Sequence, residues 1–165
     1  MDEQTTLWIN RLKEEIQSHT RYEARQLFYI DDNGLDREVK EHMSYGEWLR
    51  EYERYKTIKV EGLEDTPWLR EVLDEVVLNI TGKKRQDIHL FVNQRAGVSF
   101  KAHRDDKDVY LYVVKGKKVV DLDGIKQIIY DDEGVIIKEG VKHFVENEAD
   151  TWGLSIGAVS YTHLR

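Results

Sequence analysis

The hydrophobic period of this chain changes at Gly82, and that change limits the fold more than any other feature. Before Gly82 apolar residues recur every three or four positions, the repeat of a helix face. After it the repeat is two, and short β-branched segments are divided by Asp, Asn and Gly turns. About eight such segments run Ile88–Asn93, Val98–Arg104, Val109–Val114, Lys117–Leu122, Ile125–Tyr130, Val135–Lys138, Lys142–Asn147 and Trp152–Tyr161. Eight short strands with tight turns and no intervening helix predict a sandwich, a jelly roll or a closed barrel. The expected class is therefore mainly β, with the helices of the first half packed on one face.

Three helices are expected in that first half. Trp8, Leu12 and Ile16 share a face after Thr5-Thr6. Ser44 and Glu47 form a capping box, with Met43 and Trp48 at the hydrophobic-staple positions. In the third, Thr66 caps, Pro67 takes the first helical position and Gly82 stops the helix, while Leu69, Val72, Leu73, Val76, Val77 and Ile80 make one apolar face. Two extended runs, Gln26–Ile30 and Thr57–Val60, separate the helices. The reading is one structural domain, with residues 1–82 as a helical extension on a barrel of residues 83–165.

Charge and cysteine content narrow the chemistry. The 165 residues carry 32 acidic and 25 basic side chains, a net charge of -7, with no cysteine. Residues 1–80 hold 19 acids and 11 bases and the remainder 13 and 14, so the surplus is in the helical half. That balance argues against a phosphate-backbone binder, and no nucleic-acid partner is expected. The basic cluster Lys83-Lys84-Arg85 reads as last-turn charge on the third helix. No basic-then-apolar leader and no run of about 18 apolar residues is present, so a cytoplasmic, membrane-free location is expected. Without cysteine, a metal site has to use His, Asp or Glu.

Six histidines are available. His103 and Asp105, two apart on an expected strand, point to the same face of the sheet. His143 lies near the start of another strand, and two histidines with one carboxylate are the facial triad of non-haem Fe(II). An H-x-D also arises by chance. His19, His42, His89 and His163 have no partner at ligand spacing and read as ordinary surface or core histidines.

Two stretches carry a family resemblance: GVSFKAHRDDKDVYLYVVKGKKVV from Gly97 and EGVIIKEGVKHFVENEADTWGLSIG from Glu133. They resemble the two halves of a cupin barrel, Gly97 to His103 in the first and Gly140, His143 and Asn147 in the second. More specifically the chain resembles the JmjC branch of the 2-oxoglutarate oxygenases, in particular the ribosomal-protein hydroxylases. The matching features are Asp108-Val109, Gly116 and Lys118 after the H-x-D, and Ser155-x-Gly157 twelve positions beyond His143. It departs from that pattern at Lys138, where a proline is usual, and the dimerisation and winged-helix regions of those hydroxylases have no counterpart.

The resemblance implies a double-stranded β-helix and Fe(II)- and 2-oxoglutarate-dependent hydroxylation with O2, giving succinate and CO2. It implies that His103, Asp105 and His143 hold the metal and that Lys118, fifteen residues after His103, binds the far carboxylate of 2-oxoglutarate. Lys118 shares a strand face with Val120 and Leu122, so in that register its ammonium is buried and requires an anion. The other register leaves it solvated. Asn93, Ser155 and Asn147 are further candidates for the cosubstrate, and Arg95, Tyr110 and Tyr112 for the substrate, although strand aromatics are more often core. The substrate is expected to be a peptide or protein side chain, a free amino acid or another small molecule, and a homodimer is left open. Two alternatives stand beside this one: a metal-dependent cupin oxygenase or isomerase that does not use 2-oxoglutarate, and a non-catalytic ligand-binding cupin. The first usually brings H-x-H and a glutamate, whose places are taken here by Asp105 and Val109.

Overall fold

The computed structural model describes residues 3–18, 27–39, 45–52, 54–55, 57–61, 70–81, 87–98 and 102–158. Its helices are α1 (Glu3–Ser18), α2 (Tyr45–Glu51) and α3 (Arg70–Thr81). The first-half strands are β1 (Leu27–Ile30), β2 (Asp36–Glu38) and β3 (Thr57–Val60). The rest are β4 (Ile88–Asn93), β5 (Gly97–Val98), β6 (Asp108–Lys115), β7 (Lys117–Leu122), β8 (Ile125–Tyr130), β9 (Gly134–Ile137), β10 (His143–Asn147) and β11 (Thr151–Ala158).

Two antiparallel sheets form, in the orders β2-β1-β3-β4-β11-β6-β9 and β5-β10-β7-β8. Without β1 to β3, these become two four-stranded sheets in the nested order of a jelly roll. The first-half strands then extend the larger sheet past β4, through the pairs Thr57↔Asn93 to Val60↔Leu90.

Strand alternation sorts the side chains into two cores. On β4 the buried apolar residues are Ile88, Leu90 and Val92; on β11 they are Trp152, Leu154 and Ile156. These cluster with Tyr112 and Val114 of β6 and with Ile9, Leu12, Trp48 and Val72 from the three helices. The opposite face of β6 gives Leu111 and Val113, which pack with Val120, Ile129 and Ile137 from both sheets inside the barrel. Each fully buried Leu, Ile or Val contributes about 1.5–3 kcal/mol. The helices are therefore held chiefly by their apolar stripes.

Several boundaries differ from the sequence expectation. Helix α1 already includes Thr5 and Thr6, with Glu3 in its first turn, where an acid suits the helix dipole. Strand β2 has no apolar alternation, since Asp36, Arg37 and Glu38 are all exposed. It forms because Asp31 Oδ1 accepts from Asn33 N at 2.9 Å and Leu35 N at 3.0 Å, folding the chain back onto β1. The expected strand at 98–104 is reduced, among the described residues, to β5 and one isolated bridge, His103↔His143. Ser44, Met43, Thr66, Pro67, Leu69, Gly82, Lys83-Lys84-Arg85, His19, His42 and His163 lie outside the described residues. No helix among the described residues is long and apolar enough to cross a membrane.

Candidate metal centre

His103, Asp105 and His143 converge at one end of the barrel, each offering a ligand atom within 4.8 Å of the others. Asp105 is not on a strand, so the shared face predicted for His103 and Asp105 does not arise from pleating. The convergence comes from backbone pairing. His103 and His143 exchange N–H···O bonds of 3.0 and 2.9 Å, and Gly140 N donates to Asp105 O at 3.0 Å. The imidazole Nε2 of His103 then lies 3.6 Å from Asp105 Oδ1, and that of His143 lies 3.3 Å from Asp105 Oδ2. His143 is buried and its Nδ1 is 2.9 Å from Val141 O. A carbonyl only accepts, so Nδ1 carries the proton and the Nε2 lone pair is directed at the cluster. Two imidazoles and one carboxylate at these separations suit a first-row divalent metal.

The cluster opens into a cavity of about 390 Å³ whose floor is the larger sheet. Ladder register orders that floor. Near the metal ligands lie Val109, Gly157 and Asp87; His89 pairs with Ser155 and Leu111 with Ser155 in the next row; Phe91 pairs with Gly153 beyond it. The smaller sheet runs in parallel, His143 at the mouth, Val145 in the middle and Asn147 opposite Lys118 at depth. Four residues separate His143 from Asn147, roughly 13 Å along a strand.

Lys118 points inward and is 3% exposed. Its Nζ donates to Asn147 Oδ1, and Asn147 Nδ2 is directed to Gly97 O at 3.4 Å. Gly153 makes this placement possible, because a Cβ there would lie 2.5 Å from Lys118 Cε. Burial pushes the Lys118 ammonium down to about 7. A second buried lysine, Lys59 of β3, also lines the cavity, yet it pairs with the carboxylates of Asp36 and Glu61 and sits over Phe28 and Phe91 at 5.1 and 5.9 Å. Among the described residues no carboxylate pairs with Lys118.

No protein-family model and no curated protein matches the sequence. Solved structures do. A cupin superfamily protein from Desulfitobacterium hafniense matches with 15% identity and a TM-score of 0.43, over 47% of this chain and 71% of that one. An RmlC-like cupin from Methanocaldococcus jannaschii, described as having a double-stranded β-helix fold, matches with 18% identity and a TM-score of 0.42, over 47% and 73%. KdgF from Halomonas sp. matches with 18% identity and a TM-score of 0.41, over 48% and 73%. The nested order of the two four-stranded sheets is by itself that of a double-stranded β-helix.

The barrel places the other predicted residues unequally. Asn93, Asn147 and Ser155 line the cavity with Lys118. Asn93 is buried and its Oδ1 accepts from Thr57 Oγ1 at 2.6 Å. Tyr110 and Tyr112 do not reach the cavity. They have the opposite parity on β6 from Val109 and Leu111, so they pack toward the helices. Tyr112 donates from its hydroxyl to Asp132 Oδ1 at 3.1 Å, and burial, reinforced by Asp132, holds that hydroxyl well above its ordinary pKa. Arg95 is exposed in the bend after β4, outside the cavity lining.

Among the cavity residues that sequence reasoning missed are the titratable His89, Lys59, Asp87 and Lys107. His89 was detectable, since it shares a strand face with Asn93. The other three depend on the extended sheet and on a loop conformation. Burial opposes the charge on Asp87, but the Lys107 ammonium outweighs it and holds the carboxyl below its ordinary pKa.

Proposed function

We propose that this protein is a metal-dependent cupin enzyme, and specifically an Fe(II)- and 2-oxoglutarate-dependent oxygenase that hydroxylates an unactivated C–H bond. The observation that carries this reading is Lys118, a cation buried in the same cavity as the triad and paired, among the described residues, only with an amide oxygen. Lys59 supplies the comparison: a buried lysine neutralised within the chain has two carboxylates. Leaving Lys118 charged at that depth is costly unless an anion arrives.

The roles of the chain's own residues follow. His103, Asp105 and His143 would hold Fe(II), which supplies open coordination positions for the cosubstrate and O2 and the redox chemistry of hydroxylation. His143 Nδ1 keeps its proton and donates it to Val141 O, leaving Nε2 available as a ligand. Lys118 binds the far carboxylate and Asn147 aims it. Val109, Leu111, Val145 and Ile137 form an apolar lining that excludes water around the reacting groups. The substrate is a peptide or protein side chain, a free amino acid or another small molecule.

A second reading keeps the metal and omits 2-oxoglutarate. The low Lys118 pKa favours it, because a lysine that titrates near neutrality serves as a general acid or base in an isomerase or a simpler oxygenase. Anaerobic addition of Fe(II) and 2-oxoglutarate, followed by O2, separates the two. The first reading expects a weak visible charge-transfer band that needs both additions, and succinate after O2. Fe(II) binding with neither band nor succinate transfers the case to the second reading, and failure of Fe(II) to bind removes both. His143→Ala is expected to abolish metal binding.

A further inference from the structure

Asp105 is held by something other than a β-ladder. The segment from Ala102 to Lys107 contributes a single bridge, His103↔His143. Two further ties, a backbone bond from Gly140 N to Asp105 O and a side-chain bond from Arg104 Nη1 to Gly140 O at 3.2 Å, run to the loop between β9 and β10. At its other end the segment runs into β6, and Lys107 reaches sideways over the end of β11, so that its Nζ donates to Asp87 Oδ2 at the entry to β4 in the larger sheet.

The space for that contact is specific. Asp87 is tied to β11 by Gly157 N, which donates to Asp87 O at 2.9 Å. A Cβ on residue 157 would lie 1.8 Å from Asp87 Oδ1 and 3.0 Å from Lys107 Cε. The ion pair therefore sits in a slot that only a glycine leaves open, and Asp87, Lys107 and Gly157 all line the cavity beside the triad. Asp87 Oδ2 also lies 3.7 Å from His89 Nε2, so the carboxylate is gripped from both the loop and the sheet.

We propose that Asp87 and Lys107 form a brace over the end of β11 that positions Asp105 for the metal, and that Gly157 is required to seat it. Asp87 and Lys107 are positioning residues and touch no reacting atom. The inference rests on the triad being a metal site. A surface ion pair of no consequence is the competing account, since many such pairs contribute nothing measurable. What distinguishes a brace is its effect on the geometry of a ligand two residues away, because partners that orient a metal ligand are commonly worth 10- to 100-fold in metal affinity.

The test uses the full chain, stripped of metal and titrated with Mn(II), with free Mn(II) read by electron paramagnetic resonance. The melting temperature of the metal-free protein is measured alongside. Asp87→Asn and Lys107→Met are each expected to weaken Mn(II) binding by about 10- to 100-fold. The double variant is expected to be no weaker than the weaker single, as for two groups acting as one unit. Lys107→Arg is expected to retain near-normal binding, and the metal-free melting temperature to stay close to that of the parent throughout. Parent-like Mn(II) affinity in both single variants overturns the brace, as do losses that are additive or that follow the melting temperature. An unsubstituted protein that binds no Mn(II) overturns the metal reading as well, and is recognised without any variant.

Discussion

Lys118 and Lys59 occupy one cavity with opposite electrostatic surroundings, and the difference has a measurable consequence. In the unfolded chain lysine keeps its proton up to its ordinary value near 10.5, whereas burial brings folded Lys118 down to about 7. Between those values the unfolded chain binds more protons, so the ligand-free fold gains stability as pH rises from about 7 toward 10. Below that window this contribution is flat. Urea denaturation at a series of pH values is expected to show the rise in the parent and to lose it in Lys118→Met. An anion seated on Lys118 reverses the preference by stabilising the charged form. Affinity for 2-oxoglutarate is accordingly expected to weaken above pH 7, and a pH-independent affinity would reject Lys118 as the anchor.

The strands carry two patterns at once, which decides how much of this molecule is legible in its sequence. Odd positions of β4 and β11 build the cavity floor with His89, Phe91, Asn93, Gly153, Ser155 and Gly157, while even positions build the seam with the helices. Alternation announces the strands, and seven of the eight expected segments match within about two residues at their described ends. It does not say which parity faces inward. Of the two registers open for Lys118, the structure has the buried one, on the side of its apolar neighbours Val120 and Leu122, whereas Tyr110 and Tyr112 have apolar neighbours of both parities. The triad was legible from residue types, but its convergence depends on a loop and a single bridge. Strand β2 was illegible because a turn and a partner strand create it. On the helical side, Trp48 is fully buried in the seam. Trp48→Ala is expected to cost about 3–5 kcal/mol in denaturant unfolding. Metal affinity of the folded protein should be nearly unchanged, because the seam lies on the far side of the floor.

At the scale of the whole molecule, the helices and the barrel share one hydrophobic core and one sheet. Removing residues 1–82 would bare Ile88, Leu90, Val92, Trp152, Leu154 and Ile156 together and turn β4 into an open edge. A fragment of residues 83–165 is expected to be insoluble or to bind hydrophobic dyes, with no cooperative melting transition; a monomeric, cooperatively melting fragment would show that the barrel stands alone. The added strands also decide where the large sheet ends. Its outermost strand is β2, whose Asp36, Arg37 and Glu38 are all exposed, and charge of that density discourages a further strand from docking. The opposite limit is β9, where Ile136 is half exposed, and the outer strand β8 of the smaller sheet likewise exposes Ile125, Ile128 and Tyr130. In concentrated solution, growth of the sheet by self-association is thus directed to the β8–β9 side and away from the N-terminal strands.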